Sequence, residues 1–192
     1  RLRPGLIRAG GDGTMMTPAL TALQGRAVVR FVASFVAWLA GFAIVFEFSR
    51  DAWVNLYMVP LTRLARLALV LFGLPARIVE TEAATAFCLL QVEGIVYRVT
   101  FECTGIFALF LCMACILAFP TQRQIRFQGL ALVIPAFLAY SVMRLIILGL
   151  VAHWSPQHID LFHLYIMVVA NVGFVLALWL YWLQSAVEAR LP

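Results

Sequence analysis

The sequence predicts an all-α integral membrane protein of four or five transmembrane helices, with an outer interfacial amphipathic helix and a short extracytoplasmic β-hairpin. Of 192 residues, 64% are hydrophobic and 12% charged, where soluble domains run near half and a quarter. Mean hydropathy is +0.98. Stretches 31–48, 101–120, 127–154 and 161–183 are each apolar over about the 20 residues that a bilayer requires. This length suits one membrane domain, over 26–186, between a flexible leader at 1–25 and a cytoplasmic tail at 187–192.

The leader is Gly-rich and basic through Thr17 and has no apolar core, so it does not read as a signal peptide; Met15 or Met16 is a candidate start. The first span follows at 31–48. Segment 53–74 is ambiguous. Asn55, Thr62, Arg63 and Arg66 recur at helical spacing, which fits a helix lying in the interface, and Pro60 would kink it. A fifth span there is the alternative. Segment 88–99 alternates around Glu93-Gly94 and reads as a hairpin leading into the next helix.

Orientation follows from the arginines. The loop 121–126 carries Arg123 and Arg126 and no acid, so it belongs in the cytoplasm. Arg26 and Arg30 put the N-terminus on the same side. Loop 153–160 and the connection bearing Glu80, Glu82 and Glu93 then lie outside. Parity requires 53–74 to begin and end outside. The formal charge of +5, from 14 basic against 9 acidic residues, is explained by topology and by contact with anionic lipids. No basic run or aromatic-basic motif points to nucleic acid.

Counting from the cytoplasmic loop at the helical rise puts Cys103 about 24 Å, Arg144 about 26 Å and His163 about 30 Å up. A hydrocarbon core is about 30 Å thick. Three chemically versatile residues on three consecutive helices therefore share one level near the outer boundary. A charge inside a span is costly and marks a functional position by default, although Arg144 could also serve as a headgroup anchor. Cys103 opens its helix, where the dipole and a nearby Arg144 would favour the thiolate. Thr104-Gly105 leaves room for a substrate backbone. His163 titrates near neutrality and suits proton transfer. Each residue has a plainer reading: Cys103 could be a small packed cysteine or pair with Cys88 in a disulfide, and His163 could be a polar interface residue. Cys112 and Cys115 read as buried helix residues. With no zinc-type spacing, neither a metal nor a cofactor is implied.

Glu102-Cys103-Thr104-Gly105-Ile106, followed by an apolar helix ending at Pro120, resembles the exosortase/archaeosortase family. That family carries a cysteine, then Ser/Thr and Gly, at the start of a membrane helix, with a downstream intramembrane arginine and a later histidine. Cys103, Arg144 and His163 match in type, order and helix, over about residues 30 to 184. The chain lacks the extra N-terminal helices of many members and is similar to the compact, H-type exosortases. The resemblance implies a cysteine protease or transpeptidase in the bacterial plasma membrane. Its substrates would be proteins bearing a C-terminal sorting signal: a short motif, a transmembrane helix and a basic tail, as in PEP-CTERM-like proteins. Cys103 would be the nucleophile, Arg144 the stabiliser of thiolate or oxyanion, and His163 the acid and base. Supporting candidates are Glu102, Thr104, Gly105, Tyr97 and Asn171; Glu102 also reads as a solvated charge and Asn171 as an interhelical hydrogen bonder. Two rival readings are a small transporter or assembly subunit, with Arg144 as an anion contact, and a thiol oxidoreductase using Cys88 and Cys103.

Overall fold

The computed structural model describes residues 18–82 and 87–188. Of the expected leader, residues 1–17 lie outside the described residues; helix α1 (Pro18–Phe48) starts on a proline, whose missing N–H is no loss in a first turn. None of the apolar window of α1 is buried within the protein. An aromatic ladder holds it: Phe42 stacks on Phe110 with ring centroids 5.4 Å apart, and Phe46 meets Phe101 edge-on at 4.9 Å. Ser49 follows the end of α1, and its hydroxyl donates to the Val45 carbonyl at 2.5 Å.

Helix α2 (Arg50–Leu71) contains a π-helical turn at Val54–Met58. Pro60 lacks an N–H and crowds the carbonyl four residues back. A wider turn just before it absorbs that defect without a break. The interfacial reading of this segment is corrected in one respect: Thr62 does not share a wet face with Asn55, Arg63 and Arg66. It is fully buried, and its hydroxyl donates to the Met58 carbonyl at 2.8 Å. By length and composition α2 could cross a membrane. Its contacts nevertheless lie in the half of the bundle near the sheet. Trp53 meets Phe110, Tyr57 meets Thr104, Arg66 donates to the Ala76 carbonyl, and Leu69 lies against Gly149.

Three antiparallel strands follow in the order β1 (Ala76–Glu82), β2 (Phe87–Val92), β3 (Ile95–Val99). The β2–β3 hairpin is the one expected. Glu93 and Gly94 both take positive φ, +48° and +93°, the requirement of a two-residue turn that matches strand twist. Strand β1 was not read from the sequence, because its charges obscure its alternation. Cys88, Leu90 and Val92 point into the bundle from β2. Glu93 at the hairpin tip pairs with His153 at the end of the long helix described next.

A single turn, α3 (Phe101–Thr104), leads into α4 (Ile106–Ala118). Helix α5 (Arg123–Trp154) runs back toward the sheet, and α6 (Pro156–Glu188) returns, with a π-helical turn at Phe162–Ile166. Among the described residues, four helices are long and apolar enough to cross a membrane: 25–48, α2, α5 and α6. The number four agrees with expectation but the membership does not. Segment 101–120 is not one helix, since Gly105 splits it and leaves α4 with 13 residues. Residues 187 and 188 of the expected tail complete α6, and the rest of the tail lies outside the described residues.

Two apolar cores stack along the bundle. The one under the sheet joins α2, β2, β3 and the start of α4 to Leu145 and Leu148. The other joins Leu109, Cys112, Ile116 and Ile125 to Val133, Phe137, Tyr140 and Trp182.

Candidate active site

The site begins with a backbone defect. Gly105 has φ +72°, the left-handed region that glycine enters freely and that commonly ends a helix. The break leaves the Thr104 carbonyl without a helical partner. Two side chains supply it: the Ser141 hydroxyl donates at 2.5 Å and the Tyr57 hydroxyl at 3.2 Å. The Thr104 hydroxyl donates to the Phe101 carbonyl at 2.7 Å. Residues from α2 and α5 thus hold the one-turn helix α3 and fix the direction of its cysteine. A buried carbonyl without partners would cost about 1–3 kcal/mol, so Tyr57 and Ser141 are part of the site's frame.

Cys103 is 5% exposed. Its sulfur lies 3.6 Å from His163 Nε2, 3.5 Å from the Thr100 hydroxyl and 3.9 Å from the Arg98 carbonyl oxygen. His163 projects from the π-helical turn of α6. Burial pushes the Cys103 thiol up, but hydrogen bonds from His163 and Thr100 outweigh it, so the net direction is down. The expected direction therefore holds with a different cause: the imidazole and a threonine, where the sequence suggested the helix dipole and Arg144.

Arg144 is 6% exposed and carries no paired acid among the described residues. Its guanidinium rests against Gly105: a Cβ placed there would meet Nη1 at 3.0 Å and Asn171 Oδ1 at 3.5 Å. Nε and Nη1 of Arg144 are out of solvent and have no hydrogen-bond partner, and the same is true of Asn171 Oδ1. The Tyr140 ring face lies 5.8 Å from the guanidinium carbon and offsets part of its charge, but a buried cation without an acid partner is expensive. The fold keeps one beside the glycine that follows Cys103-Thr104.

The chain matches no family model, no curated protein and no solved structure.

The residues that the sequence singled out divide clearly. Cys103 and His163 come into contact, while Arg144 and Asn171 meet at Gly105. Thr104 contributes its carbonyl to the frame instead of lining the thiol. Glu102 is exposed and bonds neither Arg144 nor His163. Tyr97 is buried beneath the sheet with its hydroxyl unpartnered, near Gly149; burial pushes that hydroxyl up. It is not a neighbour of the thiol within bonding distance. All four cysteines are free, and Cys88 lies 3.6 Å from the Thr81 hydroxyl, so the Cys88–Cys103 disulfide reading is not met. Among the described residues, no cluster of His, Cys, Asp or Glu has the geometry to hold a metal ion. The sequence reading missed Thr100, Tyr57 and Ser141. Thr100 was findable, since a threonine three residues before a cysteine at a helix start is a capping position. Ser141, one helical turn before Arg144, offered a fainter sign.

Proposed function

We propose that the chain is a membrane-embedded cysteine endopeptidase or transpeptidase of the exosortase type. It acts at the extracytoplasmic face of a bacterial plasma membrane on proteins that end in a short motif, a transmembrane helix and a basic tail. The contact between Cys103 Sγ and His163 Nε2 at 3.6 Å carries this reading. It is the nucleophile–base pair that covalent catalysis requires, and a buried guanidinium with no acid partner, that of Arg144, rests against Gly105, two residues after the cysteine. Four long apolar helices, with Arg123 and Arg126 at the end opposite the sheet, support the membrane location and orientation.

The reaction divides into two halves. The Cys103 proton passes to His163. The thiolate attacks the carbonyl carbon of the scissile peptide, forming an S–C bond and an oxyanion. Arg144 stabilises that negative charge from a site without bulk water. As the C–N bond breaks, imidazolium His163 gives its proton to the departing amine, leaving a thioester on Cys103. His163 then takes a proton from the acceptor nucleophile. The acceptor attacks the thioester, the S–C bond breaks, and the thiolate is restored. Gly105 keeps Cβ bulk away from the guanidinium, and the frame around Thr104 holds the sulfur in place between attacks.

The test is co-expression with a reporter carrying such a C-terminal signal. Wild type should release the tail, and Cys103→Ala should leave the reporter intact. Equal processing by both chains would end the proposal.

A further inference from the structure

The sheet has two edges, and they differ. Strand β1 carries charges at Arg77, Glu80 and Glu82 and a register shift between Ile78 and Glu80. Charges and bulges of this kind keep an edge from taking on another strand. Strand β3 is the other edge. It has no register shift and a single charge, Arg98. The Arg98 side chain lies back over the Phe87 ring of β2, 4.3 Å from its centroid, and so turns away from the free side of β3. Val96 is 49% exposed and Arg98 is exposed as well.

The register fixes which backbone groups this edge offers. The two-residue turn at Glu93-Gly94 joins Val92 to Ile95 as a hydrogen-bonded pair. Bonded and unbonded pairs alternate along an antiparallel ladder. Ile95, Tyr97 and Val99 therefore bond to β2, and the N–H and C=O groups of Val96 and Arg98 point away from it. Among the described residues, no strand pairs on that side, and neither residue makes a backbone hydrogen bond there. The Arg98 carbonyl oxygen agrees with this direction, since it lies 3.9 Å from Cys103 Sγ. The open edge ends at the thiol.

We infer that the free edge of β3 is the docking site for the extended backbone that precedes the scissile bond of the substrate. The inference rests on the reading of Cys103 as the nucleophile and says how a peptide reaches it. Strand β3 descends from the hairpin tip, beside the outer end of α5, to the turn that holds Cys103. A substrate that passes from outside into its own membrane helix runs the same way, so it adds as a parallel fourth strand. Val96 donates its N–H and accepts at its C=O, and Arg98 donates its N–H. The Arg98 carbonyl ends the ladder beside the sulfur, and the peptide group that follows the paired stretch meets the thiolate. Strand addition draws its affinity from main-chain hydrogen bonds, so docking depends on an extended backbone that bears its donors.

A proline scan of the reporter tests this against the full wild-type chain in its membrane. The cut is located by mass spectrometry of the released tail. Four consecutive reporter residues, starting two before the cut, are replaced singly by proline and singly by alanine, and the proline-to-alanine ratio of cleavage rates is taken at each. Only alternate N–H groups of a paired strand face its partner. The ratio should therefore be about five-fold lower at every second position than at its neighbours, the size of one net hydrogen bond. A flat profile, or one that falls steadily toward the cut, overturns the docking. On the enzyme, Val96→Pro removes one edge donor and no bond to β2. It should cleave the unaltered reporter about five-fold more slowly than Val96→Ala, which keeps the N–H. Equal rates would also overturn the docking. Should the proline chain fail to fold, the reporter scan, which leaves the enzyme untouched, decides. If wild type leaves every reporter uncut, the sorting reaction and the docking fall together; cleavage with a flat scan removes the docking alone and keeps the peptidase.

Discussion

Gly105 and Gly129 each open a helix to a large side chain from a neighbouring helix, at opposite ends of the bundle. At Gly129 the visitor is the Trp182 indole, 2% exposed, which could not remain in place if the glycine carried a Cβ. Its N–H donates to the Ile125 carbonyl at 3.2 Å. That contact is closed: area is buried and the indole donor is used. At Gly105 the visitor is the Arg144 guanidinium, also buried, with two of its nitrogens unused. Identical steric devices thus serve opposite ends. One completes a core and the other holds chemical potential in reserve, and unmet hydrogen-bonding capacity tells them apart.

The largest expected contrast comes from removing the visitors. Arg144→Ala should lower reporter cleavage about 10²–10³-fold, the scale of losing a principal oxyanion donor. Its melting temperature should hold or rise, because a buried charge with no acid partner is gone and only a weak contact with the Tyr140 ring face, 5.8 Å away, is lost with it. Trp182→Ala should do the reverse, costing about 3–5 kcal/mol of stability while cleavage per folded molecule stays within two-fold. Thermal melts beside a cleavage time course would expose any mixing of the two roles.

An intermediate effect is expected from filling the openings. Gly105→Ala places a side chain in left-handed backbone, a strain of about 1–2 kcal/mol, and presses on Nη1. Cleavage should fall about ten-fold, by comparison with the cost of small displacements in positioned sites. Gly129→Ala overlaps the indole and should cost about 1–3 kcal/mol by overpacking, with cleavage by the folded fraction unchanged. Equal loss of activity in the two variants would show that the glycines are not distinct.

The smallest effect is a shift on the pH axis. Hydrogen bonds from His163 and Thr100 favour the Cys103 thiolate over the opposition of burial. Alkylation of Cys103 by iodoacetamide should therefore have its midpoint below that of a free thiol, about 8.5. In His163→Ala, burial acts with less opposition and the midpoint should rise. A midpoint that stays put would mean that the imidazole does not govern the thiol.

Much of this is legible in the sequence. Depth counting along the apolar segments placed Cys103, Arg144 and His163 at one level, and Cys103 and His163 do touch. Glu93-Gly94 announced its turn. What stayed hidden depended on geometry that residue types do not encode. A single glycine inside an apolar run is compatible with continuous helix, so nothing marked Gly105 as left-handed. Without that break there is no orphaned Thr104 carbonyl, and so no reason to look for Tyr57, which is 47 positions away. Strand β1 was masked by Arg77, Glu80 and Glu82, which interrupt its apolar alternation. Thr62 looked like a partner of Arg63 and Arg66 because spacing alone ignores the wider turn upstream of it.

The π-helical turn at Phe162–Ile166 has a bearing on angle as well as position. His163 and Asn171 stand eight residues apart, and on a uniform α-helix they would point about 80° away from each other. The looser winding after His163 takes up part of that angle, so the imidazole and the amide come round toward the same side of the bundle. The last helix thereby carries a phase relation between the imidazole and the amide. A one-residue deletion in that turn would preserve every side chain named here and still rotate one group out of register with the other.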